Sequence, residues 1–221
     1  MNRQIVRPQD AASLILVRDG RGEPEVLMGR RQSRMTFMPD VYVFPGGKLD
    51  AGDGSVRAAS PLDAGMIRHL AVAGSARRAQ ALAMAAVRET FEETGLLLGQ
   101  PGDAGALDNP AWAAFKQAGL APALDKLCYV TRAITPTFSP IRFHARFFLA
   151  DTAHVRGVLG GSGELLDLRW VPLSEANRLP IADVTVFVVG EVQRLLTAPP
   201  ENHTRKALFT HRRNGPYVRY S

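Results

Sequence analysis

Cysteine is almost absent from this chain: Cys128 is the only one. That excludes an intrachain disulfide and any cysteine-rich metal centre. Its setting in the apolar run LCYV points to a buried structural thiol. Long hydrophobic runs are missing too. No stretch of about 18 apolar residues occurs, so no membrane span is expected. The opening MNRQIVRPQD lacks the apolar core of a signal peptide, and GPYVRYS at the other end carries no targeting motif. These absences predict a chain that works in a reducing cytoplasm. Lysine is scarce as well: Lys48, Lys116, Lys126 and Lys206 are the only ones, so the net charge of +6 is carried mostly by arginine. Arginine favours bidentate phosphate contacts. The bias suits a phosphorylated partner or a solvated surface, and charge alone does not separate a nucleotide from a nucleic acid.

What remains is ordinary for a soluble globular protein, with 46% hydrophobic and 22% charged residues. The 221 residues suffice for one sizeable domain or two small ones. Residues 13–18 (SLILVR) read as a strand, and DGRGEPE as the turn into a second, VLMGR. Residues 41–44 form a short strand-like run ending in PGG. The Gly-, Ala- and Ser-rich stretch 52–75 reads as an insertion with one or two helical turns. Residues 76–94 are the strongest helix. Asn109 and Pro110 open a short one. Residues 127–134 and 141–150 read as strands joined by the turn TPTFSP, and 166–171 as another strand. Ser174 and Glu175 begin a short helix, and 184–196 form the last. From about 197 the tail is polar and basic, expected to be disordered or to dock elsewhere. No repeat or linker is evident, so one domain over 1–221 is expected, an α/β chain with a mixed sheet flanked by helices.

The helix over 76–94 ends in VRETFEETGL. On a wheel, Ala83, Met84, Val87 and Phe91 share one face. Glu89, Glu92 and Glu93 gather on the other, at spacings that bring like charges together. Acids at a helix C-terminus also oppose the macrodipole, by about 0.3–1 kcal/mol each. The arrangement is locally unfavourable without a cation, and a hard divalent ion would reverse that. Against this stands the plainer reading of a solvated acidic face.

Upstream stands VFPGGKLDAGD, whose Gly46-Gly47 turn allows close backbone approach. Gly95 stops the helix as a left-handed cap. Together these pieces resemble the Nudix box, G-x5-E-x7-R-E-U-x-E-E-x-G-U, of hydrolases acting on a nucleoside diphosphate linked to another moiety. Gly47, Arg88, Glu89, Glu92, Glu93, Gly95 and Leu96 match. Asp53 replaces the first glutamate, and Thr90 holds the bulky aliphatic position. In place of the pattern's seven residues, 34 separate Asp53 from Arg88. The box is split between 46–53 and 88–96, with the insertion at about 54–78; such a loop costs little closure entropy. The split resembles the branch that includes coenzyme A diphosphatases. The segment LMGRRQSRMTFMPDVYVFPGG partly matches the motif of that branch.

The resemblance implies a Nudix fold, an α/β/α sandwich with a mixed sheet. It implies that Glu89, Glu92 and Glu93 hold one to three Mg²⁺ or Mn²⁺ ions, with the Gly46 carbonyl as a further ligand. Arg88 would orient these acids. Arg30, Arg31, Arg34 and Phe44 would meet the substrate. Glu164, in GGSGELLDL, is the first candidate for general base, with Glu93 and Asp167 as alternatives. His144 reads as structural, and Trp170 as core, with Pro172 ending its strand. The implied activity is metal-dependent hydrolysis of a diphosphate, on coenzyme A or its thioesters first, then ADP-ribose, dinucleotides and nucleoside diphosphate sugars. Many relatives pair as homodimers. Two rivals stay open: a nucleotide sensor that does not cleave, and an RNA-processing enzyme using the tail HRRNGPYVRY. The intact glutamates speak against the first, and the absence of a helix-turn-helix speaks against DNA binding.

Overall fold

The computed structural model describes residues 5–105, 108–198, 205–212 and 215–220. Residues 1–4 and 106–107 and parts of the basic tail lie outside the described residues. The strands in chain order are β1 (Gln9–Asp19), β2 (Pro24–Arg31), β3 (Tyr42–Val43), β4 (Gly46–Lys48), β5 (Leu97–Pro101), β6 (Leu120–Pro122), β7 (Cys128–Ile134), β8 (Phe143–Asp151), β9 (Val155–Arg156), β10 (Leu165–Pro172), β11 (Ala207–Arg212) and β12 (Gly215–Tyr220). The helices are α1 (Ala64–Ile67), α2 (Ala76–Thr94), α3 (Pro110–Gln117) and α4 (Asp183–Thr197).

Among the described residues nine strands form one sheet, ordered β10-β2-β1-β8-β7-β11-β12, with β3 beside β2 and β4 beside β1. The sheet is mixed: β1 and β8 run parallel, as do β7 and β11, and the remaining pairs are antiparallel. β1 is apolar on both faces because both are covered. Leu14 and Leu16 join Leu82, Met84, Trp112 and Phe148 in a core under α2 and α3. Ile15 and Val17 join Val188, Val192 and Phe209 in a second core under α4. The layers are therefore helix, sheet, helix.

α2 starts at Ser75, whose side chain accepts from the Arg78 N–H, and stops at Gly95 in the left-handed region with φ 74°. It is buried almost all round, not on one stripe. Small residues explain this, since Ala79, Ala81, Ala83, Ala85 and Ala86 let neighbours approach on every side. Glu93 is buried with them, so the expected separation of an apolar face from an acidic, solvated one does not hold. The insertion is anchored. Val56, Met66, Leu70 and Val72 enter the α2 core, each worth about 1.5–3 kcal/mol of burial before ordering costs. Asp63 caps α1 by accepting from the Met66 N–H at 2.9 Å.

β5 pairs with β6 and β9 in a second small sheet. Three expectations change. The basic tail returns as the β11–β12 hairpin and extends the main sheet, driven by burial of Phe209. Trp170 is only half-buried, with the Arg18 guanidinium 4.4 Å from its ring centroid. Cys128 is likewise half-buried. Among the described residues no helix is long and apolar enough to cross a membrane.

Candidate active site

The site forms where β4 lies against β1 and meets the last turns of α2. Gly46 and Gly47 pair with Ser13 and Ala12. A Cβ on Gly47 would overlap the Glu89 carboxylate, and one on Gly46 would overlap Ser13. Both positions need glycine because acid and strand occupy the space of a side chain. The Gly46 N–H donates to Glu93 Oε2 at 2.9 Å.

Arg88 ties the two halves together. Its Nε and a terminal nitrogen donate to both oxygens of Asp53, at 2.8 and 3.1 Å. The same guanidinium donates to Glu89 and Glu92 at 2.9 Å each, and to the Lys48 carbonyl at 2.9 Å. Asp53 sits in a 3-10 turn, Ala51–Ser55, is 1% exposed, and also accepts from the Asp50 N–H. Burial alone would push the Arg88 pKa down. The hydrogen bonds to Asp53 and the charges of Glu89, Asp53 and Glu92 reverse this and keep it protonated. Thr90 occupies the aliphatic slot with its hydroxyl satisfied, donating to the Ala86 carbonyl at 2.7 Å.

The acids outnumber this one buried cation. Burial pushes Glu93 up to about 8; the Gly46 N–H and Arg31 oppose, while Glu89 and Glu164 add to the rise. Burial likewise raises Glu89 to about 7 against the pull of Arg88, with Glu92 and Glu164 adding to it. Among the described residues no three acidic, His or Cys side chains converge as a ready-made metal cage. The donors nonetheless suit a hard divalent ion. They are all oxygen, and Glu89 and Glu93 each use only one oxygen in the hydrogen bonds above. The excess charge is of the sign such an ion removes.

Arg88 and the three glutamates line a cleft of about 730 Å³. Arg31, Phe44 and Lys48 also line it. Glu164 reaches it because the loop before β10 packs backbone to backbone on the α2 cap. The Gly160 N–H donates to the Thr94 carbonyl at 2.9 Å, and a Cβ on Gly157 would stand 2.6 Å from the Gly95 carbonyl oxygen.

The other expected residues lie elsewhere. Arg30 pairs with Asp40 at 3.1 Å and does not line the cleft; Arg34 is exposed and does not line it either. Successive residues of a strand point to opposite faces, which separates Arg30 from Arg31. Asp167 accepts from the Tyr42 hydroxyl, away from the cleft. His144 lies 3.2 Å from an Arg132 nitrogen. Burial, then Arg146 and Arg132, push its pKa down to about 3, so it is neutral and structural. Sequence reasoning missed Asn109 as a site residue. Its Oδ1 accepts from the Ala111 N–H, the foreseen cap, while its Nδ2 donates to Glu92 at 3.3 Å.

No family model matches the chain. The crystal structure of a Nudix hydrolase from Alicyclobacillus acidocaldarius aligns with a TM-score of 0.62 and 30% identity, covering 84% of this chain and 90% of that one. The chain belongs to the Nudix hydrolase family. Two curated proteins are also similar. Acyl-coenzyme A diphosphatase NUDT19 of Gallus gallus is 35% identical over 133 residues, 46% of this chain and 35% of that protein. Putative nudix hydrolase 7 of Caenorhabditis elegans is 27% identical over 178 residues, 76% and 52% of the two chains. The chain thus spans about half, or less, of the length of the curated relatives it matches. As a Nudix member it brings both parts of its interrupted box into contact through Arg88.

Proposed function

We propose that this chain is a divalent-metal-dependent pyrophosphohydrolase that cleaves the diphosphate linkage of a nucleoside diphosphate derivative. Coenzyme A or an acyl-coenzyme A is the first substrate, supported by the similarity to NUDT19. ADP-ribose or a dinucleotide is the alternative. The carrying observation is the Arg88 fan, which joins Asp53 to Glu89 and Glu92 beside the buried Glu93.

Glu89 and Glu93, with Glu92 beside them, would hold Mg²⁺ or Mn²⁺. When bound, the ion supplies charge neutralisation of the diphosphate and a lowered pKa for an attacking water. Arg88 keeps the carboxylates in place and stays charged while doing so. Asp53 and the Lys48 carbonyl hold Arg88 in turn. Arg31, at the cleft, offers a cation to a phosphate oxygen. Glu164 is exposed at the same cleft and accepts the proton of the water. In-line geometry and electrostatics then carry the reaction.

A substrate panel with Mg²⁺ and Mn²⁺, in which both product halves are resolved, tests this. Each half should carry one of the two phosphates of the cleaved linkage, and Glu93→Gln should lose about 10²–10³ in kcat. Products retaining an intact diphosphate would refute the reaction class. Binding without turnover across the panel would leave a sensor.

A further inference from the structure

We infer that Tyr42 and Asp167 position Glu164 by locking a bulge in β10, an inference that rests on the role of Glu164 proposed above. From Leu166 to Arg169 β10 advances three residues, while its partner β2 advances two, from Arg30 to Met28. Gly29 of β2 therefore faces two residues, Asp167 and Leu168, which is the mark of a β-bulge. A one-residue shift swaps the face of every residue beyond it. Beyond the bulge, Leu166 and Leu165 pair with Arg30 and Arg31, and Glu164 follows directly. The bulge thus sets how Leu165 and Glu164 reach the cleft, which both of them line together with Arg31.

The ladder does not hold a bulge, because the extra residue is left unpaired. Here side chains do so. Asp167 has φ 48°, in the left-handed region that Asn and Asp enter more readily than other non-glycine residues. Its carboxylate accepts from the Tyr42 hydroxyl. Arg169, on the far side of the bulge, donates to the same hydroxyl at 2.9 Å, and its guanidinium lies 4.9 Å from the Tyr42 ring centroid. Tyr42 is fixed in turn: its ring is buried in the α4 core, and its N–H donates to the Pro180 carbonyl at 2.9 Å. The other end of the segment is fastened to the α2 cap through Gly160, and the Gln32 side chain donates to the Gly163 carbonyl. Glu164 is therefore held between two anchors. Neither Tyr42 nor Asp167 lines the cleft, so the pair acts through Glu164 and not on substrate. Bulges beside active sites re-aim side chains in this way.

Tyr42→Phe keeps the buried ring and removes the hydroxyl. With a substrate that the parent protein hydrolyses, it should lower kcat about 10- to 100-fold and leave KM nearly unchanged, since a small misplacement at the reacting centre costs that much. Asp167→Gly keeps the backbone conformation and removes the acceptor, so it should match Tyr42→Phe. Asp167→Asn tolerates the same φ and keeps a carbonyl acceptor, so it should recover most of the lost kcat. In a Glu164→Gln background, Tyr42→Phe should cost nothing further. An additive loss there, or equal losses in the Asn and Gly variants, would overturn the inference. Full kcat in Tyr42→Phe with a loss in Glu164→Gln would strike the clasp alone; full kcat in both would strike Glu164 as the base as well. Amide exchange over residues 165–168 reads the clasp without turnover. It should quicken in Tyr42→Phe and Asp167→Gly and match the parent in Asp167→Asn. Equal exchange in all of them would overturn the clasp. Quickened exchange beside a parent protein that hydrolyses nothing would retire the reaction and keep the clasp.

Discussion

Arg88 Nε lies 2.8 Å from Asp53 Oδ1, a contact that closes over 34 intervening residues. Both side chains are almost wholly buried, and a second Arg88 nitrogen reaches the other Asp53 oxygen. Removing one partner of such a pair strands the other charge. Arg88→Met should therefore cost about 3–5 kcal/mol of stability. Chemical denaturation would show it as a lower midpoint. A midpoint within error of the parent would mean the pair does not hold the insertion to α2.

Glu93 gives the opposite sign. It is 4% exposed, and among the described residues its hydrogen-bond partner is the Gly46 N–H and no cation. Glu93→Gln removes a buried charge and keeps an acceptor for that N–H. In EDTA at pH 9 its melting temperature should equal or exceed that of the parent, while turnover collapses. A lower melting temperature would show that the carboxylate is stabilising without metal.

The pH dependence follows from the same two acids. Glu89 and Glu93 titrate near 7 and 8 when folded, above the ordinary value of 4.5. Their contribution is complete below 4.5 and is lost as pH rises through 7 and then 8. His144 works the other way but acts below its ordinary value of 6.5. The metal-free melting temperature should therefore fall between about pH 6.5 and 8 and level off above that. With Mg²⁺ held by the ionised acids as proposed, the gap between Mg²⁺-loaded and EDTA-treated protein should widen over the same range. A constant gap would contradict proton competition at these residues.

Gly47 makes a sharper test of the turn. Its missing Cβ leaves the space the Glu89 carboxylate occupies. Gly47→Ala should push that carboxylate aside and raise the Mg²⁺ concentration for half-maximal activity about 10- to 100-fold. A superimposable Mg²⁺ titration would show that Glu89 is not a ligand.

Much of this architecture was legible in the chain itself. Residues 76–94 announced α2 through alanine content, Ser75 at one end and Gly95 at the other. Periodicity and turn residues located β1, β2, β7, β8, β10 and α4, because alternation and capping are local signals. The family pattern singled out Gly47, Arg88 and the three glutamates by spacing alone.

Other features depend on partners distant in sequence. Glu93 is buried because β4 folds over the end of α2, which no wheel displays. Arg30 leaves the site and Arg31 enters it because the sheet fixes which face of β2 meets the cleft. The basic tail becomes β11 and β12 because Phe209 finds a core, although its composition reads as solvated. The chain alone determined which chemical groups are present and how they are spaced along each element. Tertiary packing decided which of them are desolvated, and desolvation is what turns ordinary carboxylates into groups that require a cation.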